Sequence, residues 1–220
     1  MRTPDLAVAR DLCSFIAASP SPFHAVEQAA GRLAGGGFEE SIGATAGFVR
    51  RGGSIVAWRR GPGPIEQFRL MGAHTDSPNL RIKPRPEHRS AGFRQLGVEV
   101  YGGVLLNSWL DRDLGLSGRL SVSRDGRIDE VLFRVDRPVL RIPQLAIHLD
   151  RDVNERGLVL NRQQHLSPLW GMADGVDFRV FVAGAAGVDP SAVVAWDAMC
   201  HDLTPPTLAG VSDSWILLSM

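Results

Sequence analysis

The stretch Leu70-Met71-Gly72-Ala73-His74-Thr75-Asp76-Ser77-Pro78 decides how this chain is read. An apolar run from Phe68 to Ala73 stops at a histidine, and an aspartate follows two residues later. The pattern predicts a buried strand whose end delivers His74 into a site. In an extended segment, residues two apart point to the same side, so Asp76 can reach the His74 ring. A neutral imidazole is the commonest nitrogen ligand for zinc, and a carboxylate on the other ring nitrogen is its usual orienting partner. On these residues alone a plainer reading stands beside the metal one: a strand-end histidine capped by a nearby carboxylate. One histidine does not hold a metal, so further ligands have to come from elsewhere.

Upstream, Thr3-Pro4 predicts a capped helix start, and Leu6, Ala9, Leu12, Cys13 and Ile16 recur at helical spacing. Pro20-Ser21-Pro22 ends that helix and starts another, with Ala25, Val26, Ala29, Ala30 and Leu33 on one face, stopped by Gly35-Gly36-Gly37. Ser54–Trp58 and Phe68–Ala73 are strand candidates joined through Gly61-Pro62-Gly63-Pro64. Two helices followed by strands suit an α/β layer arrangement. After Pro86 short apolar runs alternate with glycines and charges. Asp125-Gly126 lies between two such runs, a strong hairpin signal. Residues 87–200 therefore read as β-rich, with a short helix at Asp189-Pro190-Ser191. The expected architecture is an α/β domain interrupted by a β-rich second domain: residues 1–86, 87–202, and a return over 203–220.

The 220 residues allow one large domain or two small ones. Apolar content of 44% and charged content of 22% are those of a globular protein. The formal net charge is zero, which gives no general pull toward nucleic acid or membrane, and neither is expected as a partner. Apolar runs such as Trp215–Leu218 are far too short to span a bilayer. The N-terminus carries Arg2, Asp5 and Arg10 with no long apolar core, unlike a secretory signal. Cys13 and Cys200 lack a CxxC partner, so neither a disulfide framework nor a thiolate zinc site is expected, and a reduced cytoplasmic setting is the plain inference. Of the 24 basic residues only Lys83 is a lysine, which reads as genome composition. The chain closes on the apolar Ser214–Met220, which predicts a sequence broken off in mid-domain.

The segment Gly72–Pro84, Gly-Ala-His-Thr-Asp-Ser-Pro-Asn-Leu-Arg-Ile-Lys-Pro, closely resembles the signature of the aspartyl aminopeptidase and vacuolar aminopeptidase I family of zinc metallopeptidases. Further matches occur in order along the chain. Val98–Gly103 resembles the family's Val-Glu-x-Tyr-Gly-Gly, and Asn107–Arg119 its His-x-Trp-x-Asp-Arg-Asp-Leu-x-x-x-Gly-Arg. Arg141–Leu149 resembles Arg-Ile-Pro-x-Leu-Ala-Ile-His-Leu, and Ser19–His24 the early Ser-Pro-x-Pro-Phe-His. The resemblance covers essentially the whole chain, through Asp202-Leu203-Thr204-Pro205.

The resemblance implies a cytoplasmic metalloaminopeptidase with two zinc ions, removing N-terminal residues, acidic ones in several members, from peptides. It makes His74 a metal ligand and Asp76 the catalytic residue that orients it. A bridging aspartate would join the metals, and a glutamate would act as general base on an activated water. It also implies a β-rich domain inserted into the catalytic domain and used for contacts in large homo-oligomers. The family's bridging aspartate lies in an Arg-Leu-Asp-Asn segment shortly after the counterpart of Leu217-Leu218-Ser219, and this sequence stops before it. A Glu-Glu pair, a later aspartate and a final histidine are also missing. One of five expected metal ligands remains, so the chain reads as the N-terminal half of such an enzyme, inactive alone.

The other polar candidates divide. His148 sits in the apolar run Leu145–Leu149 and admits two readings: a satisfied interior histidine, or, by the resemblance, a substrate-binding residue reaching a neighbouring subunit's active site. Asp111 and Asp113 flank Arg112 and read as ion-pair partners rather than metal ligands. His24 reads as a surface or packing residue, and His88, His165 and His201 have no ligand-like spacing. Tyr101-Gly102-Gly103 reads as a turn before a strand. Three functions compete. The first is a zinc aminopeptidase acting on peptide substrates. The second is a catalytically dead fragment serving as an assembly or interaction module. The third is an unrelated single-zinc hydrolase, which lacks any His-x-x-x-His helix motif.

Overall fold

A computed structural model describes residues 6–172, 174–211, 213 and 215–217. The predicted helix cap at Thr3-Pro4 and the terminal Leu218-Ser219 lie outside the described residues. The fold is mixed α/β, and its contacts separate into two compact units. One holds the chain up to Ser77 together with the segment from Pro205 onward; the other is Pro78–Thr204, which interrupts the first in sequence. No helix among the described residues is long and apolar enough to cross a membrane.

The discontinuous unit begins with helices α1 (Leu6–Ala17) and α2 (Pro22–Gly35). Ser21 caps α2 with its hydroxyl accepting from the His24 amide, Pro22 opens the first turn, and the Gly36 amide closes the last turn on Arg32 and Leu33 carbonyls. This is the start and stop chemistry expected from Ser-Pro and the triple glycine. α2 buries Ala25, Val26 and Ala30, whereas α1 buries no residue fully. The hairpin β1 (Ala46–Arg51) and β2 (Ser54–Arg59) comes next.

The expected strand over Phe68–Ala73 does not form. These residues join no sheet among the described residues, and Phe68, Leu70 and Met71 are 78%, 90% and 101% exposed. The reason is pairing. A strand is stabilised by neighbours that take up its amides and carbonyls and cover its side chains. The other sheet residues described in this unit are already paired within their own hairpins.

The continuous unit is one six-stranded antiparallel sheet in the order β6-β5-β8-β3-β4-β7. Its strands are β3 (Asn79–Ser90), β4 (Phe93–Tyr101), β5 (Leu114–Arg124), β6 (Arg127–Leu140), β7 (Leu169–Gly171) and β8 (Val193–Asp202). The composition change at Pro86 falls inside β3, where the pairing register with β4 shifts between Ile82 and Glu87. Pro84 and Pro86 lie in that gap, because proline donates no ladder hydrogen bond. Asp125 (φ 49°) and Gly126 (φ 75°) turn β5 into β6, the left-handed pair that a two-residue hairpin requires. Tyr101 ends β4, and Gly102 (φ 76°) leads into a 3-10 turn at Leu106–Trp109 rather than into a strand.

β5 supplies much of the core: Leu114, Leu116, Leu120 and Val122 are all wholly buried, with Leu80 on β3 and Leu96 on β4. A short helix α3 (Val153–Arg156) and a longer one, α4 (Phe178–Ala186), complete the unit. α4 was not expected. Its signals are nonetheless present in the sequence: Asp177 accepts from the Arg179 and Val180 amides as N-cap, Phe178 and Val182 recur at helical spacing and are buried, and Gly187 (φ 67°) ends it. Asp189 caps a 3-10 turn at Pro190–Ala192, as its Asp-Pro-Ser predicts. Beyond β8, the discontinuous unit resumes with β9 (Thr207–Ala209) paired to β10 (Trp215–Leu217).

Candidate metal-binding segment and the acidic pair

His74 and Asp76 meet as their spacing predicts. His74 Nδ1 lies 3.2 Å from Asp76 Oδ1. With Nδ1–H donated to the carboxylate, the Nε2 lone pair is the one presented to a metal. The intervening Thr75 donates its hydroxyl to the Gly53 carbonyl at 2.5 Å, which ties the segment to the β1–β2 turn. The His74 side chain is 92% exposed and Asp76 30%. The pair is formed, but it stands in solvent and not in a cleft.

Among the described residues, no group of three or more His, Cys, Asp or Glu side chains is placed to hold a metal ion. A zinc site takes three or four protein ligands. What this chain supplies at His74 is one imidazole nitrogen backed by one carboxylate. That set fits a single corner of a zinc site and does not fit a whole one.

His148 is on the surface of the other unit, in a turn where the Leu149 amide donates to the Ala146 carbonyl. Its neighbours Leu145, Ile147 and Leu149 are 60%, 45% and 74% exposed. The interior reading of His148 is therefore corrected: the residue and its apolar run are exposed on the unit's surface. The structure places His74 and His148 in different units.

Asp111 and Asp113 are ion-pair partners, as expected. Both face Arg141, whose guanidinium is 2.7 Å from Asp113 and 3.6 Å from Asp111. Asp111, held at φ 55°, also accepts from the Gln144 amide at 3.3 Å. Arg112 turns the other way and pairs with the buried Asp202. Asp111, Asp113 and Arg141 thus clip the segment that leads to His148 onto the start of β5. A cavity of about 340 Å³ opens beside Asp113 and Arg141, walled in part by Phe93 and Trp170, and neither His74 nor His148 lines it.

Of the remaining histidines, His24 Nδ1 is 2.7 Å from the Ser21 hydroxyl, and His165 accepts from the Asn161 amide. His201 is the one that spacing failed to reveal. It is buried on β8, with Nδ1 3.1 Å from Ser117 Oγ and Nε2 3.3 Å from Asp136. Gly115 makes room for it: a Cβ there would sit 2.6 Å from His201 Nε2. Burial lowers the His201 pKa, against the pull of Asp136, which raises it. No sequence signal near His201 points to Ser117 or Asp136, because both lie on other strands.

The structure thus shows an α/β unit interrupted by an antiparallel sheet unit, with a paired His-x-Asp segment just before the interruption. The chain belongs to the aminopeptidase I zinc metalloprotease family (M18), whose model matches residues 15–219. It is 51% identical over 212 residues to a probable M18 family aminopeptidase 2 of Streptomyces coelicolor, covering 91% of this chain and 48% of that protein. A Mycobacterium tuberculosis protein of the same description is 48% identical over 217 residues, covering 94% and 49%. Among solved structures, a chain in the cryo-EM structure of the Ape4 and Nbr1 complex superposes with TM-score 0.89 at 32% identity, covering 96% of this chain and 47% of that one. The S. cerevisiae mApe1 dodecamer is similar in fold, with TM-score 0.73 at 24% identity over 95% of this chain and 51% of that one. The chain spans about half the length of the curated relatives it matches.

Proposed function

We propose that these 220 residues are the N-terminal portion of a cytoplasmic zinc aminopeptidase that removes N-terminal residues, acidic ones by preference, from peptides. The observation that carries the reading is the His74–Asp76 pair, 3.2 Å apart inside the family-matched span. His74 is one ligand of a two-zinc site, and Asp76 is the catalytic residue that fixes its ring. Bound zinc supplies Lewis acidity and an acidified water. The residues of this chain alone do not complete the site, so no catalytic step is assigned to them, and the 220 residues by themselves turn over no substrate.

The unit Pro78–Thr204 is read as the inserted assembly domain, and the remainder as the partial catalytic domain. Homo-oligomerisation is supported by the fold likeness to the mApe1 dodecamer, and His148, on an exposed apolar turn, is read as reaching a neighbouring subunit's substrate. A second reading, an inactive assembly module, is favoured by one observation: among the described residues, the large buried apolar cluster lies within that unit.

The test is a single polypeptide joining residues 1–220 to the portion of the Streptomyces coelicolor relative outside the matched span. It is expected to cleave aspartyl or glutamyl substrates faster than leucyl ones, to lose activity on chelation, and to lose it in His74→Ala. Full activity of His74→Ala would sink the metal assignment. Turnover by the unextended chain, lost on chelation, would sink its proposed inactivity. Light scattering tests the oligomer, and a monodisperse monomer of the joined protein at tens of micromolar would count against the assembly role.

A further inference from the structure

We propose that Thr75 is a positioning residue of the metal-ligand pair: its hydroxyl, bound to the Gly53 carbonyl, holds the backbone between His74 and Asp76 so that the imidazole keeps Nδ1 on the carboxylate and presents Nε2. The metal role of His74 rests on the aminopeptidase reading above; the positioning role of Thr75 is what is newly assigned.

The pair needs such a support. The His74 side chain is 92% exposed, and residues 61–78 belong to no helix or strand. An exposed ion pair gains little by itself, because ordering two side chains offsets most of the attraction. For the 3.2 Å contact between His74 Nδ1 and Asp76 Oδ1 to persist, the backbone between them has to be ordered by something else. Thr75 does this from the middle of the pair. His74 meets Asp76 across it, while Thr75 itself is half-buried and donates Oγ1–H to the Gly53 carbonyl at 2.5 Å. That distance is at the short end for a hydroxyl donor. The β-branched side chain also leaves few rotamers in which the bond could be lost.

The acceptor is fixed in turn. Gly53 lies in the two-residue turn between β1 and β2, where Gly52 takes φ 55° and Arg51 pairs with Ser54. The turn is seated on the start of α2: a Cβ at Gly53 would sit 3.2 Å from Pro22 Cβ and 3.6 Å from Phe23 Cε1. Pro22 is buried, and the Ser21 cap fixes the helix start beside it. Support therefore runs from the α2 cap through the hairpin turn and Thr75 to the His74–Asp76 pair, entirely within the discontinuous unit.

The experiment starts with the 220-residue chain and no metal. The Thr75 hydroxyl proton is expected to be protected from exchange. Nitrogen NMR at about pH 8, where an ordinary imidazole is neutral, is expected to show His74 mainly as the Nδ1–H tautomer. Thr75→Val keeps the shape and removes the donor, and is expected to return the His74 ring to the tautomer ratio of free histidine. Thr75→Ser keeps the donor and is expected to restore the Nδ1–H form. Thr75 pairs with no residue of the β1–β2 ladder, so the hairpin amides are expected to stay protected in both variants. In the polypeptide that joins residues 1–220 to the remainder of the relative, Thr75→Val is expected to weaken zinc binding roughly ten-fold or more, read by competition with a chelating indicator, and Thr75→Ser to restore it.

An unprotected Thr75 hydroxyl, an unchanged tautomer ratio in Thr75→Val, or a Thr75→Ser variant that behaves like Thr75→Val would each overturn the positioning role. Loss of hairpin protection in Thr75→Val would also overturn it, because the hydroxyl would then be holding the fold and not the pair. A joined protein that binds no zinc in any form, beside a tautomer ratio that follows the hydroxyl, sinks the zinc reading and leaves the positioning role standing, so the two failures are separable.

Discussion

The two units of this molecule bury apolar surface to different depths. In Pro78–Thr204, Leu80, Leu96, Leu114, Leu116, Leu120, Val122, Leu166 and Val182 are wholly buried. In the discontinuous unit the buried apolar residues are Ala25, Val26, Ala30 and Phe48, while Val8, Val56, Phe68, Leu70 and Met71 face solvent. Each fully buried leucine contributes about 1.5–3 kcal/mol relative to exposure, so the interruption carries most of the stabilisation and the interrupted unit little. The comparison teaches that the continuous unit buries a core of its own, whereas the described residues of the discontinuous unit bury only a few apolar side chains.

The strongest way to break that contrast is at the centre of the sheet. Leu116 is wholly buried on β5, paired with β6 on one side and β8 on the other. Leu116→Ala is expected to cost about 3 kcal/mol through lost transfer energy and a cavity. A denaturant midpoint unchanged by the substitution would mean that β5 is not the core strand. A smaller effect is expected at the ion pair below it. The Asp202 side chain is 2% exposed and pairs with Arg112, which is 36% exposed. Asp202→Asn is expected to cost about 2 kcal/mol, less than for a fully buried pair because water reaches the arginine.

His201 sharpens the contrast through pH. Its folded-state pKa is lowered from 6.5, first by burial, with Arg134 adding to the shift and Asp136 and Asp202 opposing it. A base with a depressed folded pKa is protonated more readily in the unfolded chain. Its contribution to stability is therefore intact above the unfolded value of 6.5 and is lost as pH falls through the folded one. Unfolding of the sheet unit is expected to become easier below about pH 6.5, and His201→Gln is expected to flatten that slope. An unchanged slope in the variant would assign the pH dependence to other groups.

These residues also show what was legible in sequence. The α2 cap, the Asp125-Gly126 turn and the His74–Asp76 contact were legible because each is decided within a few residues, by capping, left-handed backbone and two-residue periodicity. His201 with Ser117 and Asp136 was not, because the three meet only through strand order, with β5 between β8 and β6. Phe68–Ala73 failed differently. Its apolar pattern is that of a strand, but a strand is a property of a pair, and the described residues provide no partner. α4 was missed although its aspartate cap and apolar spacing were available.

Within the discontinuous unit, the cap of α2 sets the scale of what can be lost. The Ser21 hydroxyl accepts from the His24 amide at 3.4 Å and lies 2.7 Å from the His24 ring. Ser21→Ala is expected to destabilise this unit by about 1 kcal/mol. Because the units have separate contact networks, proteolysis or amide exchange within α2 is the sensitive measurement. A change confined to the sheet unit would contradict the division.

The smallest effect is expected where the sequence looks most demanding. Leu70 precedes His74 by four residues, and in a buried strand its truncation would cost about as much as Leu116→Ala. Here its side chain is 90% exposed, so almost no apolar area is returned to water when it is shortened. Leu70→Ala in the 220-residue chain is expected to change stability by less than about 0.5 kcal/mol, as surface substitutions do. Equilibrium denaturation of the two leucine variants side by side is therefore the direct comparison of the units. If Leu70→Ala proved as costly as Leu116→Ala, residues 68–73 would already be packed in solution, and His74 would already be carried on a formed strand. If it is silent in the isolated chain and costly only in the joined protein, the same residue reports the moment at which the interrupted unit acquires its core.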